Sequence, residues 1–314
     1  MSCPESEVPA AGSAHSEAVC PVCFRHCKLK EDALGACMAR RNVNGTIVCD
    51  NYGKISSIAL DPIEKKPLAR FYPGRMILSV GSYGCNLRCP FCQNHEISYD
   101  RPVELLARGS SASAAGDRNT GRRLEVEKVA PQELVSMALE LVPRGNIGIA
   151  FTYNEPLVGY ELVLDTARLA REKGLETVLV TNGTATGDVE DKLLPWISAM
   201  NIDLKAFTDR FYKEFIDGDR AMVMDFIERA AVSCHVELTT LIIPGENDSE
   251  EEMDALSVWI AGVSKQTGCD IPLHITRFFP RFRLTDRGPT DTALVRRLAE
   301  AAGRHLSHVY LGNM

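Results

Sequence analysis

Six short apolar runs, each followed by a helical pattern, constrain this chain more than any other feature. They are "MILSVG" (76–81), "IGIAFT" (147–152), "TVLVTN" (177–182), "MNIDLK" (200–205), "VELTTLII" (236–243) and "LHITRF" (273–278). Between them apolar residues recur at helical spacing, as in Leu134, Met137, Ala138 and Leu141, or Val158, Leu162, Thr166 and Leu169. Strand-then-helix repetition predicts an α/β fold with a parallel sheet and right-handed crossovers. Six units suit an open, partial (β/α)6 barrel of the TIM type. A doubly wound sheet is the competing architecture, and periodicity alone does not separate the two.

Residues with chemistry gather at the C-terminal ends of these runs. Cys85, Cys89 and Cys92 follow the first, "TYNEP" the second and "TNG" the third, while "DLK" closes the fourth and "HITR" lies on the last. A β/α barrel assembles its active site on that face, from several different strands.

The loop "GSYGCNLRCPFCQNHE" spaces its thiols as C-x3-C-x2-C. A closed structural metal site takes four ligands, and a four-iron cluster is ordinarily held by four thiolates. Three leave one corner open for something else to bind. Zinc would need a fourth ligand, and His95 is the neighbour at hand. Gly84 and Asn86 suit a backbone that wraps closely around a cofactor. A second set, Cys20, Cys23, Cys27 and Cys37, is spaced C-x2-C-x3-C-x9-C and can close either a zinc tetrahedron or a second, fully ligated cluster. His26 is a substitute ligand there, and Cys49 blurs the count.

The three-cysteine loop, with Phe91 before its last thiol, resembles the radical S-adenosylmethionine superfamily. Together with "DPIEKKPLARFYPG", "FTYNEP", "LVTNGT", "IDLKAF" and "YLGNM" it resembles the radical enzyme of the AmmeMemoRadiSam group, a relative of the activases of pyruvate formate-lyase-type glycyl radical enzymes. The resemblance implies a [4Fe-4S] cluster on Cys85, Cys89 and Cys92. Its open iron would chelate S-adenosylmethionine and cleave it to methionine and a 5′-deoxyadenosyl radical, which abstracts hydrogen from a substrate. It also implies an external low-potential electron donor, a flavodoxin or ferredoxin, and as partners either a protein substrate or the other AmmeMemoRadiSam proteins.

By the same resemblance Glu155, helped by Asn154, meets the methionyl ammonium, and Lys205 its carboxylate or the ribose. His274 lies near the nucleoside. Thr181, Asn182 and Asp203 belong to a stretch that holds a small cation in the activases, but Val180 replaces the Asp found there. Each position has a plainer alternative: a strand-ending turn at "TYNEP" and "TNG", a solvated Lys205, a structural His274. Arg277, Arg281 and Arg283 follow the last strand and are either a clamp for a substrate carboxylate or phosphate or an exposed loop.

Composition narrows the remaining classes. With 45% apolar and 25% charged residues the chain can bury a large core, and its net charge of −7 argues against a nucleic-acid binder. No apolar run approaches membrane length, and the acidic, small-residue N-terminus lacks the features of a signal peptide. Eleven cysteines, mostly clustered, suit metal binding in a reducing compartment. The expectation is a cytoplasmic enzyme with residues 1–19 disordered, a Cys-rich module over 20–50, the barrel over 51–314, and a mobile insertion at 108–123. A glycyl radical activase, and a non-catalytic S-adenosylmethionine or redox sensor, are the alternative functions.

Overall fold

The computed structural model describes residues 17–108 and 124–314. Its N-terminal module is two small antiparallel pairs. Strands β1 (Ala18–Val19) and β2 (Lys28–Leu29) form one, β3 (Arg40–Val43) and β4 (Thr46–Cys49) the other. Asn44 and Gly45 join the second pair with φ of 51° and 79°, the left-handed backbone that a two-residue hairpin turn requires. A further short pair, β5 (Lys54–Ile55), adds to strand β8 below; β6 (Ser57–Pro62) and β7 (Met76–Gly81) then open the main sheet. The remaining strands are β8 (Glu127–Lys128), β9 (Asn146–Phe151), β10 (Glu176–Thr181), β11 (Ala199–Asp203), β12 (His235–Ile242), β13 (Leu273–Arg277) and β14 (Val309–Gly312). The helices are α1 (His95–Ser98), α2 (Arg101–Ala107), α3 (Pro131–Glu140), α4 (Tyr160–Glu172), α5 (Gly187–Leu193), α6 (Arg220–Ala231), α7 (Glu250–Thr267) and α8 (Thr292–Ala302).

The main sheet has eight strands in the order β14-β13-β12-β11-β10-β9-β7-β6. All neighbours from β7 to β14 are parallel, and only β6 runs antiparallel at the edge. Spatial order follows chain order without reversal. A doubly wound sheet reverses at a switch point, so this is the winding of a partial barrel. The six expected strands are present, and β14 adds a seventh parallel one.

Alternation divides each strand between two cores. Leu78, Val80, Ile149, Phe151, Leu179, Met200, Ile202 and Leu238 pack against the helices. On the concave side Ile77, Ala150, Val178 and Ala199 meet Ile63 and Leu68, with Phe71 packed alongside. The segment 63–71 thus plugs the lower end of the barrel with apolar side chains. Asn201 Nδ2 donates to the Pro67 carbonyl at 2.8 Å and fixes its depth. The upper half of the same concave face is polar and forms the site.

Two expected boundaries change. Residues 17–19 are ordered, because β1 pairs with β2 and begins the Cys-rich module; residues 1–16 lie outside the described residues. Of the expected insertion, Arg108 caps α2, bonding back to the Glu104 and Leu106 carbonyls, and residues 109–123 lie outside the described residues. Among the described residues no helix is long and apolar enough to cross a membrane.

Candidate active site

The loop leaving β7 turns sharply at Gly84, where φ is +97° and a Cβ would come within 2.6 Å of the Cys37 carbonyl oxygen. Only glycine permits both the left-handed backbone and the close approach. Beyond it Cys85, Cys89 and Cys92 line a cavity of ≈ 740 Å³. The Cys85 sulfur accepts from the Leu87 N–H at 3.4 Å and from Asn182 Nδ2 at 3.8 Å, and Ser98 Oγ lies 3.7 Å from the Cys92 sulfur. Phe91 also lines the cavity and stacks on Phe215 at 5.8 Å.

Burial pushes the pKa of all three thiols up, that of Cys89 to about 12 although Lys205 opposes the shift. A thiolate here therefore needs a strong cationic partner. Three convergent thiols, directed N–H donors and an open cavity beside them fit a cluster with one free iron. His95 supplies no fourth ligand to this set. Its Nδ1 is bonded to Asp100 at 2.9 Å and its ring stacks on Phe282 at 4.2 Å.

The strand-end residues converge on the same cavity, which Asn154, Glu155, Thr181, Asn182, Asp203, Lys205 and His274 all line. Lys205 Nζ pairs with Asp203 at 2.9 Å. Burial alone would lower the lysine pKa, but Asp203 and the nearby Cys89 hold it raised. It is a fixed cation within the cavity.

Glu155 is 3% exposed and largely committed to the protein. Its carboxylate accepts from Thr181 Oγ1 at 2.6 Å, Leu157 N at 3.0 Å and Asn182 N at 2.8 Å. Burial still raises its pKa to about 7. With about four acceptor positions on a carboxylate, one is left for a cationic ligand. Asn154 is committed too, accepting from Ser82 N at 2.9 Å and donating to the Gly84 carbonyl at 3.1 Å. It positions the cysteine loop.

His274 sits on Tyr310, ring centroids 5.1 Å apart, and its Nε2 donates to Glu237 at 2.6 Å. Glu237 is fully buried, and its neighbours explain why it can be. It also accepts from His235 Nε2 at 2.9 Å and from the backbone N–H groups of Ala69 and Arg70 at 2.9 and 2.8 Å. Burial would raise its pKa, but these donors bring it down to about 2. Register puts Asp203, Thr239, His274 and Tyr310 side by side on the concave face. Glu237 and Tyr310 were not anticipated from the sequence.

The arginines do not join the site. Among the described residues that line the cavity none is Arg277, Arg281 or Arg283. With His274 and Thr276 facing inward, strand alternation turns Arg277 outward, where its Nε donates to the Thr290 carbonyl at 2.6 Å. Arg281 pairs through its backbone with Leu284, and Arg283 lies over the Phe282 ring at 4.8 Å.

The N-terminal module docks on the cysteine loop. Cys20, Cys23 and Cys37 are buried, Cys27 is half-buried, and all are free thiols. Arg40, 2% exposed, fastens the module to α4 through Glu161 at 2.5 and 2.7 Å. Among the described residues no three His, Cys, Asp or Glu groups close tightly enough to grip a single ion.

An open parallel barrel with a three-thiol loop after its first parallel strand defines a class of iron–sulfur enzyme. The Radical SAM superfamily model matches residues 79–256, more than half of the chain, and the chain belongs to that superfamily. It is an enzyme of that superfamily, implying a [4Fe-4S] cluster, S-adenosylmethionine and a source of reducing electrons. It is 39% identical over 300 residues to the uncharacterized protein MJ0808 of Methanocaldococcus jannaschii, spanning 94% of this chain and 81% of that one. It is 26% identical over 178 residues to the pyruvate formate-lyase-activating enzyme of Clostridium pasteurianum, 55% of this chain and 65% of that one. In fold it is similar to Streptococcus suis SuiB bound to S-adenosylmethionine, with a TM-score of 0.52 at 12% identity over 74% of this chain and 48% of that one.

Proposed function

We propose that this chain is the radical enzyme of an AmmeMemoRadiSam-type system and acts on a substrate presented at the polar mouth of the barrel. One observation carries the site assignment. Cys85, Cys89 and Cys92 share a single cavity with Glu155, Asp203, Lys205 and His274, drawn from four different strands and the loops that follow them. When bound, the cluster supplies one electron to the sulfonium of S-adenosylmethionine, giving methionine and a 5′-deoxyadenosyl radical.

The protein's own groups bind and orient. Lys205 neutralises a carboxylate, and the remaining acceptor position of Glu155 takes an ammonium hydrogen. His274, held by Glu237, and Tyr310 present a flat surface to a nucleoside. Glu64, Lys65, Gln93 and Asn313 line the cavity as well and offer both charges to a polar substrate. The electron comes from a flavodoxin or ferredoxin. The four N-terminal thiols bind metal in this reading.

A glycyl radical activase is the second reading, favoured by the likeness to the Clostridium enzyme and by a cavity reaching Leu311 and Gly312 on edge strand β14, where a partner chain has access. Anaerobic reconstitution with iron and sulfide, followed by dithionite and S-adenosylmethionine, tests the chemistry. Deoxyadenosine is expected from the native chain and none from Cys92→Ala. Equal product from both would refute the assignment. Deuterium carried from candidate small molecules or from a partner protein's glycine into deoxyadenosine separates the two readings.

A further inference from the structure

Arg277, Arg281 and Arg283 stand outside the cavity, and the segment that carries them, "RFFPRFR" (277–283), is fastened at both its base and its tip. At the base Arg277 Nε donates to the Thr290 carbonyl, and Thr290 Oγ1 to the Ile242 carbonyl at 2.6 Å. Phe278 and Leu284 are buried. At the tip the N–H groups of Arg281 and Leu284 donate to each other's carbonyls at 3.2 and 3.1 Å, closing a turn in which Phe282 has a φ of 55°. A bulky residue adopts that left-handed backbone only where its surroundings impose it, which points to a function for the turn.

The turn is set against the cysteine loop. The Phe282 ring lies flat on His95 at 4.2 Å and edge-on to Tyr99 at 5.7 Å, and Tyr99 Oη donates to the Cys89 carbonyl. The Arg283 N–H donates to the next carbonyl, that of Pro90, at 2.9 Å. Cys89, Phe91 and Cys92 line the cavity, whereas Pro90, His95, Tyr99 and Phe282 do not. The turn therefore covers the outer side of the loop, two contacts from Cys89, and leaves the cavity mouth clear.

Its surface chemistry is that of a contact face. Arg281 and Arg283 are exposed, and among the described residues neither has an acidic side chain within ion-pair reach. The acids closest in sequence are engaged elsewhere, Asp100 with His95 and Asp286 with Arg287. The Arg277 guanidinium lies over the Phe279 ring at 4.8 Å, and that ring is 40% exposed. Arginine and aromatic side chains are the residues enriched at protein–protein interfaces. Three arginines without an intervening acid also stand out on a chain of net charge −7, whose remaining surface repels an acidic partner. We infer that the 277–283 turn is the docking surface for an acidic, low-potential electron-donor protein, which delivers its electron through the outer side of the cysteine loop. The inference rests on Cys85, Cys89 and Cys92 holding the catalytic cluster. The donor is oxidised by one electron and that cluster reduced by one; no bond forms or breaks.

The test compares two reductants on the anaerobically reconstituted full chain, with deoxyadenosine formation as the readout. One is dithionite, which needs no docking surface; the other is flavodoxin, an acidic flavoprotein, kept reduced by NADPH and its reductase. Arg281→Glu/Arg283→Glu should lower the flavodoxin-driven rate about tenfold or more and leave the dithionite-driven rate within about twofold of native. Arg75→Glu/Arg144→Glu makes the same change in net charge at the opposite end of the barrel, where both arginines are exposed, and should leave both rates near native. Raising salt from about 0.05 to about 0.3 M should slow flavodoxin-driven turnover of the native chain and have little effect on the 281/283 variant. Equal flavodoxin-driven rates in native and 281/283 variant would overturn the inference, as would an equal fall with both reductants, an equal fall in both variants, or no turnover of the native chain with flavodoxin where dithionite succeeds. No deoxyadenosine from the native chain with dithionite would overturn the catalytic reading itself, and the docking surface with it. Should the glutamate pair fail to fold, Arg281→Ala/Arg283→Ala decides: a loss of about threefold or more confined to flavodoxin supports the inference, and no loss overturns it.

Discussion

Glu237→Gln is the substitution whose cost can be worked from two directions. The carboxylate accepts four hydrogen bonds, two from backbone and two from histidines. A glutamine keeps one oxygen and presents an NH₂ where the other stood, so about two charge-assisted bonds are lost. At about 1.5–3 kcal/mol each, that is about 3–6 kcal/mol. Independently, those donors hold the pKa at about 2 against an ordinary 4.5, which at about 1.4 kcal/mol per pH unit is about 3 kcal/mol. The estimates meet at the lower figure. Because the folded pKa lies below the unfolded one, this stabilisation is complete above pH ~4.5 and is lost as pH falls through about 2. Urea unfolding of the iron-free chain, since acid destroys clusters, should show the variant about 3 kcal/mol weaker at pH 7 and the gap mostly closed near pH 2. A loss below about 1 kcal/mol, or a gap unchanged by acid, would refute the reasoning.

Glu155 should behave in the opposite sense: its folded pKa of about 7 lies above the ordinary 4.5, so the folded state gains stability as pH falls through that interval, and Glu155→Gln should flatten the slope in the same titration. Lys205→Met removes a charge-assisted partner and should weaken S-adenosylmethionine binding about 10- to 100-fold by calorimetry on the iron-loaded chain. Arg40→Ala strands Glu161 and detaches the N-terminal module from α4, at a cost of about 3 kcal/mol in urea unfolding, the low end for a buried pair because Glu161 is 33% exposed. Exchanging potassium for tetramethylammonium should leave S-adenosylmethionine affinity unchanged in the native chain, whereas a drop of more than about threefold would reveal a cation site.

The strands were legible because parallel strands buried on both faces read as continuous apolar runs. All six begin and end within two residues of expectation. Strand β14 is only four residues long, at an edge, and has no such run to announce it. The plug at 63–71 was equally hidden, since "IEKKPLARF" carries its three apolar anchors at irregular spacing around charged residues, one of which, Lys66, is itself buried against Asp61. Of the three arginines, the place of Arg277 was contained in the sequence: His274 and Arg277 are three apart on one strand and so face opposite ways, whereas Arg281 and Arg283 lie beyond the strand's end. Glu237 also left a trace. An acidic residue inside "VELTTLII" is a charge in a buried strand, and such a charge persists only when paired. The identity of its partners, drawn from 165 or more residues away in the loop and from the next strand, required the fold.

Val180 shows how the charge balance of this site differs from that expected of an activase. An aspartate there would face the cavity beside Asp203 and would bring two carboxylates close to three thiolates, a cluster of negative charge that requires a bound cation. With valine at 180, Asp203 is the carboxylate that pairs with Lys205, and the 2.9 Å contact neutralises it. The lysine is held by more than that contact: its backbone N–H donates to Tyr212 Oη at 3.0 Å, and its carbonyl accepts from Asn247 Nδ2 at 2.7 Å. These two bonds fix the backbone from which the side chain springs, and the Asp203 pair holds its ammonium end. In the proposed reading this paired ammonium stands in for an exchangeable cation, and the potassium-to-tetramethylammonium exchange tests that substitution.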